Sequence, residues 1–122
     1  MVSVLIVDDN LEMRRLIRAM VGRLASVVYE CSDGAEVLAA YQTHQPDWVL
    51  MDIEMPGLDG IHATQQLLAS FPQARVIIVT NYDQPLLRES ARNAGACGYL
   101  RKDNLADLRR LFTEGQLLST PL

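Results

Sequence analysis

The sequence predicts an α/β fold in which one doubly wound, five-stranded parallel sheet has the order 2-1-3-4-5 and carries five helices. Strand and helix signals alternate five times along the 122 residues, as in successive right-handed crossovers. The first and third strand segments are continuous apolar runs, typical of strands buried on both faces. Both runs end in aspartates, which places those strands side by side at the switch point of the sheet.

The first half of the chain holds three strands and two helices. The first strand is Val2–Val7, and Asn10 is positioned to cap the helix after it, since its side chain can accept a backbone N–H. The second strand is Val27–Cys31, and a short helix follows it before Pro46. The third strand is Trp48–Met51. The apolar residues of the first helix recur at helical spacing, and they are Met13, Leu16, Ile17, Met20 and Leu24.

A loop at Ile53–Gly60 separates the third strand from the third helix, which stops at Pro72. The fourth strand is Arg75–Val79, the most β-branched run in the chain. We expect Thr80–Gln84 to be a loop.

Pro85 suits the first turn of the fourth helix, which ends at Gly95. Cys97–Leu100 is the fifth strand, and Asp103 or Asn104 can cap the last helix. Periodicity is lost from Gly115 onward. We therefore expect one domain over residues 1–115 and a tail or linker remnant at 116–122.

Composition excludes several classes of protein. The net charge is −4 and the pI is near 5.0, with no basic stripe, so direct nucleic-acid binding is not expected. No apolar segment approaches the length of a membrane span, and no signal peptide is visible. We therefore expect a cytoplasmic protein. Cys31 and Cys97 should lie at opposite edges of the sheet and remain unpaired.

Three carboxylates should meet at the carboxyl edge of the sheet. Asp8 and Asp9 follow the first strand, and Asp52 follows the third. Such a group repels itself unless a cation lies within it, which indicates a hard-metal site with one reactive aspartate. Lys102 is the single lysine among eleven basic residues and also follows a strand. A lone ammonium there can hold an anion as a point charge.

In these motifs the sequence resembles the receiver domains of two-component response regulators, which have a flavodoxin-like fold. The matching stretches are Val4–Asp9, Met51–Gly60, Val79–Thr80 and Gly98–Lys102. Several separated motifs in the family's order are far more specific than any one of them.

The resemblance implies a phosphoacceptor site with a bound Mg²⁺. Asp52 would accept the phosphoryl group from a histidine kinase or a phosphotransfer protein. Asp8, Asp9 and Asp52 would bind the Mg²⁺ directly or through water, with the backbone carbonyl of Glu54 as a further ligand. Such a domain assists its own phosphorylation and dephosphorylation and is not a multiple-turnover enzyme.

The resemblance also implies a phosphorylation switch. Thr80 would hydrogen-bond the phosphoryl group and Lys102 would pair with it. Tyr99 would change rotamer together with Thr80. The surface formed by helix four, strand five and helix five would then change its affinity for partners.

Some positions depart from the usual family pattern. Asp103 stands where many receivers have proline, so no cis peptide bond is implied. Lys102–Asp103 and the tail Gly115–Ser119 are closer to receivers that precede helix-turn-helix output domains. Either such an output domain is absent from this chain or the protein acts alone. The last helix is about one turn short for that subgroup, which argues against its usual dimer contacts, and a homodimer is left as an open alternative. Asn81, larger than the usual residue, can crowd the phosphodonor or bond the phosphoryl group.

Two other functions compete with the switch. A phosphohydrolase would use Asp52 as nucleophile and Glu54 as acid/base, but the related phosphatases need Asp-x-Asp where this chain has Asp8–Asp9. A pseudo-receiver would bind partners without phosphorylation. The three arginines of the first helix, Arg14, Arg15 and Arg18, are expected to form a solvated face.

Overall fold

The computed structural model describes residues 2–114, which form a five-stranded parallel sheet of order β2-β1-β3-β4-β5. The order and the parallel pairing confirm the predicted α/β architecture. The predictions about the tail from Gly115 lie outside the described residues. The strands are β1 Val2–Val7, β2 Ala25–Cys31, β3 Trp48–Met51, β4 Val76–Thr80 and β5 Gly98–Arg101.

β1 and β3 have the bounds expected from their apolar runs. β4 and β5 are displaced by one residue, and β2 begins two residues earlier than predicted. The prediction that Thr80 begins a loop is wrong, because Thr80 is the last residue of β4 and pairs with Arg101 at the end of β5. This pairing extends both strands toward the carboxyl edge. A polar side chain is therefore held by regular backbone structure rather than by a loop.

Five helices follow the strands, together with short 3₁₀ turns at Gly34–Glu36 and Lys102–Asn104. The helices are α1 Leu11–Val21, α2 Val37–His44, α3 Gly60–Ser70, α4 Pro85–Ala94 and α5 Asp107–Glu114. Asn10 caps α1 as predicted, since its Oδ1 accepts the N–H of Met13 at 2.8 Å. Gly95 ends α4 with a φ of 105°, a conformation that favours glycine.

The last helix begins later than predicted. Neither Asp103 nor Asn104 caps it, because both side chains have other partners. The Asp103 carboxylate pairs with Arg101 at 2.8 Å, and the Asn104 amide donates to the Asp107 carboxylate at 2.9 Å. The 3₁₀ turn follows β5 directly with Lys102 as its first residue, and α5 begins at Asp107.

The sheet separates two apolar layers, as expected of parallel strands buried on both faces. Alternate residues of β1 belong to opposite layers: Leu5 packs with α2, α3 and α4, and Ile6 packs with α1 and α5. Because both faces of the sheet are covered by helices, polar side chains of the central strands lie at the strand ends. Asp8 and Asp52 follow the carboxyl ends of β1 and β3, so the candidate site lies at that edge.

The cysteines and the lengths of the helices were also subjects of prediction. Cys31, on the edge strand β2, and Cys97, beside the opposite edge strand β5, are both free thiols. Among residues 2–114, none of the helices is long and apolar enough to span a bilayer.

Candidate functional site

The acidic residues predicted from the strand ends do meet at the carboxyl edge of the sheet. Val7 pairs with Met51, so the next residues, Asp8 and Asp52, follow adjacent positions of β1 and β3. The Asp52 N–H extends this pairing by donating to the Val7 carbonyl at 2.9 Å. With Asp9 included, the three side chains each offer a carboxylate oxygen, and these oxygens all lie within 4.8 Å of one another.

α3 begins directly against the backbone of Asp52. A Cβ added at Gly60 would lie 1.8 Å from the Asp52 carbonyl oxygen. Glycine is therefore required for this close approach. The Asp59 carboxylate caps the helix by accepting the N–H groups of Ile61 and His62. The loop after Asp52 is thereby anchored at its far end.

Lys102 places one ammonium group between two of the carboxylates. Its Nζ lies 2.9 Å from Asp8 Oδ2 and 3.3 Å from Asp52 Oδ2. Asp8 and Asp52 are 1% and 6% exposed, so both charges are removed from water. Desolvation acts to lower the pKa of Lys102, but the contacts with Asp8 and Asp52 outweigh it and raise this pKa above the ordinary value. The ammonium therefore stays charged.

The pKa of Asp52 is raised to about 6, first by burial and then by the negative charge of Asp8, while Lys102 acts in the opposite direction. Its Oδ1 also accepts the N–H of Ile53 at 2.9 Å. The carboxylate is consequently ionised near neutral pH, but less firmly than an exposed aspartate. An ionised carboxylate is the form that can act as a nucleophile.

The donor set fits a hard divalent cation. Three carboxylates lie beside one ammonium group, which contacts only Asp8 and Asp52, so negative charge is in excess at the site. Asp8 Oδ2 is fully buried, and the Lys102 ammonium contacts it at 2.9 Å. Mg²⁺ favours one or two carboxylates together with water, and Asp9 is exposed toward solvent.

Thr80 and Tyr99, the expected switch pair, are connected through the backbone of Tyr82. Thr80 Oγ1 accepts the Tyr82 N–H at 3.2 Å, and the Tyr99 hydroxyl donates to the Tyr82 carbonyl at 2.6 Å. Both side chains are buried. The Tyr82 phenol is hydrogen-bonded to the Glu54 carboxylate, and that bond raises its pKa. Tyr82 therefore links the loops that follow β3 and β4.

Sequence reasoning missed Tyr82 and misplaced Arg14. The expectation of a solvated face holds for Arg15 and Arg18, which are exposed, but it is wrong for Arg14, whose side chain is only 15% exposed. Both Arg14 and Arg18 bind Glu30 of β2. Arg14 also donates to the Asp8 carbonyl at 2.7 Å. No local signal could have indicated these contacts, because they depend on how α1 lies over β2.

A protein-family model described as the response regulator receiver domain matches residues 4–113. The chain belongs to this family. It is a receiver domain of the two-component response regulators, with the parallel sheet and the acidic strand ends that the sequence predicted.

Individual relatives agree with this membership. The chain is 36% identical over 127 residues to the response regulator GacA of Pseudomonas viridiflava, covering 99% of this chain and 59% of GacA. It is 37% identical over 100 residues to the chemotaxis protein CheY of Halobacterium salinarum, covering 82% and 83%. A two-component response regulator of the LuxR family from Aurantimonas superposes with a TM-score of 0.87 at 30% identity, covering 97% and 86%. The chain thus spans about three fifths of the length of GacA.

Proposed function

We propose that this receiver domain accepts a phosphoryl group on Asp52 in a Mg²⁺-dependent reaction, and that the acyl phosphate changes the surface of α4, β5 and α5. The observation that carries this proposal is the single ammonium of Lys102 between the buried carboxylates of Asp8 and Asp52. We also propose that the receiver domain comprises residues 1–115.

The transfer is a displacement at phosphorus. An Asp52 carboxylate oxygen forms the new O–P bond, and the P–N bond of a phosphohistidine donor breaks with its electron pair passing to the imidazole nitrogen. Bound Mg²⁺, held by Asp8, Asp9, Asp52 and the Glu54 carbonyl, would supply positive charge that offsets anion repulsion. Lys102 is already beside the nucleophile and would pair with a phosphoryl oxygen.

The switch would start from the hydroxyl of Thr80. This hydroxyl now accepts the Tyr82 N–H, and reorientation toward a phosphoryl oxygen would change that contact. The Tyr99 hydroxyl binds the same residue, so a shift of Tyr82 also removes the partner of Tyr99. The Arg88 guanidinium of α4 lies 4.7 Å from the Tyr99 ring centroid. These contacts support a path from Asp52 to the surface of α4 and β5.

The partners of the whole protein belong to the same proposal. A histidine kinase or phosphotransfer protein would supply the phosphoryl group, in the cytoplasm. A helix-turn-helix output domain is proposed from the relationship to response regulators such as GacA, which extend beyond the matched region. A homodimer is proposed as one form of the active state.

The proposed site can be tested by incubating the protein with phosphoramidate and Mg²⁺ and measuring intact mass. We expect one added phosphoryl group, lost in Asp52→Asn, which removes the nucleophile but keeps the shape. Asp47→Asn is the matched control, because Asp47 lies at the opposite end of the same strand. An adduct that persists in Asp52→Asn would place the acceptor elsewhere.

The same experiment separates the competing functions. A phosphohydrolase would consume the donor repeatedly without a stable adduct, and a pseudo-receiver would not react. The structure offers little support for Glu54 as the acid/base of a hydrolase, since Glu54 is exposed and hydrogen-bonded to Tyr82. We therefore propose self-limited phosphorylation rather than multiple turnover.

A further inference from the structure

Arg14 connects three parts of the molecule beside the acidic site. It lies in the first turn of α1, where its side chain is only 15% exposed. One terminal nitrogen donates to the Asp8 carbonyl at 2.7 Å, and Nε donates to Glu30 Oε1 at 2.8 Å. The guanidinium therefore joins α1, the end of β1 and the edge strand β2.

The contacted carbonyl belongs to the peptide bond between Asp8 and Asp9. Because a peptide unit is planar, fixing its oxygen also fixes the direction in which the next Cα continues. The Asp8 side is already restrained: its N–H donates to the Cys31 carbonyl and its Oδ1 accepts the N–H of Asn10. Arg14 completes this restraint on the Asp9 side, where the carboxylate is exposed.

Glu30 holds Arg14 in the orientation that reaches Asp8. Its second oxygen, Oε2, accepts Nε of Arg18 at 2.7 Å. Partial burial acts to raise the pKa of Glu30, but the hydrogen bonds from Arg18 and Arg14 hold it below the ordinary value. Glu30 thus remains an anion at neutral pH. Arg18 makes its second contact with the Val28 carbonyl at 3.1 Å rather than with Asp8.

We propose that Arg14 is a positioning residue of the receiver site: it orients the Asp8–Asp9 peptide and so holds both carboxylates in the arrangement that binds Mg²⁺. This inference rests on the proposed function, because it concerns the same Mg²⁺ site. It adds a residue that contacts neither the cation nor the phosphoryl group.

A positioning role and a purely electrostatic role of Arg14 predict opposite changes in Mg²⁺ affinity when its guanidinium is removed. A positive charge near a cation site repels the cation, so its removal should strengthen Mg²⁺ binding if charge were the only effect. Loss of a group that orients metal ligands instead weakens metal binding, typically by about 10-fold to 100-fold. The sign of the change in Mg²⁺ affinity therefore distinguishes a positioning role from a nearby surface charge.

The experiment compares Arg14→Met with Arg18→Met by titrating each folded variant with Mg²⁺ in a calorimeter. Both substitutions remove a guanidinium from Glu30 and keep an unbranched side chain, but only the first removes a contact with Asp8. We expect Arg14→Met to bind Mg²⁺ about tenfold more weakly than the unsubstituted protein. Arg18→Met should bind it equally well or slightly more tightly. Thermal melts of the metal-free variants measure separately how much each substitution lowers the stability of the fold.

Equal or tighter Mg²⁺ binding by Arg14→Met would overturn the inference, as would the same loss in both variants. If Arg14→Met does not fold, the comparison is made with Arg14→Lys and Arg18→Lys. Lysine keeps the positive charge but cannot make the two directed contacts of the planar guanidinium. Weaker binding in Arg14→Lys alone supports positioning, and equal affinities overturn it. Failure of the unsubstituted protein to bind Mg²⁺ would instead refute the proposed function.

Discussion

The two aspartates that flank β3, Asp47 and Asp52, have different surroundings. At the amino end, Asp47 Oδ2 accepts both the N–H and the hydroxyl of Ser3, at 2.8 and 3.2 Å. The Asp47 carbonyl accepts Nε of Arg75, whose guanidinium lies 3.9 Å from the Trp48 ring centroid. At the carboxyl end, Asp8 and Asp52 share the single ammonium group of Lys102, at 2.9 and 3.3 Å.

This difference separates stability from function within one short strand. The amino end satisfies its polar groups and adds the stacking of Trp48 on Phe112, with ring centroids 5.4 Å apart. At the carboxyl end, burial first and the negative charge of Asp8 second raise the pKa of Asp52. Substitutions at the carboxyl end should therefore impair Mg²⁺ binding and phosphorylation without lowering stability, and those at the amino end should lower the free energy of unfolding.

Among variants that keep Asp52, the largest effect is expected from Lys102→Arg. The ammonium lies within 3.3 Å of oxygens from two different strands, and a planar guanidinium cannot replace this point contact without displacing one of them. We expect phosphorylation of Asp52 to slow by about 100-fold, the cost of small misplacements at a reacting centre. Stopped-flow phosphorylation with phosphoramidate measures the rate. An unchanged rate would mean that the position needs only a positive charge.

Asp9→Ala should weaken Mg²⁺ binding by at least about tenfold and slow phosphorylation accordingly, because it removes one of three clustered carboxylates. The metal-free protein should become slightly more stable, since repulsion among the acids decreases. Calorimetry and thermal melts in chelator test the two parts separately. Unchanged Mg²⁺ affinity would remove Asp9 from the metal site.

At the amino end, Asp47→Ala should reduce the free energy of unfolding by about 1–2 kcal/mol, since it removes the charged acceptor of two Ser3 hydrogen bonds. Urea unfolding measures this loss. Mg²⁺ affinity should stay within about twofold, because β3 separates the two ends by four residues. A large loss of Mg²⁺ binding would show that the ends are coupled.

The pH dependence of stability should reveal the raised pKa of Asp52. A folded-state pKa of about 6, above the ordinary value of 3.8, means that the folded state binds the proton more tightly. This favourable contribution is complete below about pH 4 and is lost as the pH rises through 6. Asp52→Asn should therefore gain about 1–3 kcal/mol relative to the unsubstituted protein between pH 4 and 7.5 without divalent cations. Parallel stability curves would contradict the burial of this charge.

The smallest effect concerns tryptophan emission. Trp48 precedes Asp52 by four residues, roughly 13 Å along an extended strand, and it is 2% exposed between Arg75 and Phe112. Saturating Mg²⁺ should change its fluorescence little, even with binding confirmed by calorimetry. Phe112→Leu should change the emission in the absence of any cation. Strong quenching by Mg²⁺ would contradict the distance expected between Trp48 and the metal site.

The sequence alone determined the features that depend on short stretches of chain. Continuous apolar runs defined β1 and β3 to the residue, and their terminal aspartates identified the carboxyl edge. Asn10 and Gly95 marked helix ends through their own backbone preferences. The alternation of elements indicated a parallel sheet with right-handed crossovers. The aspartates after the first and third strands placed these strands side by side, as in the order 2-1-3-4-5.

Contacts between distant segments were decided only by the tertiary structure. The extension of β4 to Thr80 follows from its pairing with Arg101, and the delayed start of α5 follows from partners found by Asp103 and Asn104. Arg14 has the local pattern of a solvated helix residue, yet it reaches Asp8 because α1 packs over β2. Such contacts depend on register and helix placement, which the packing of both apolar layers selects together.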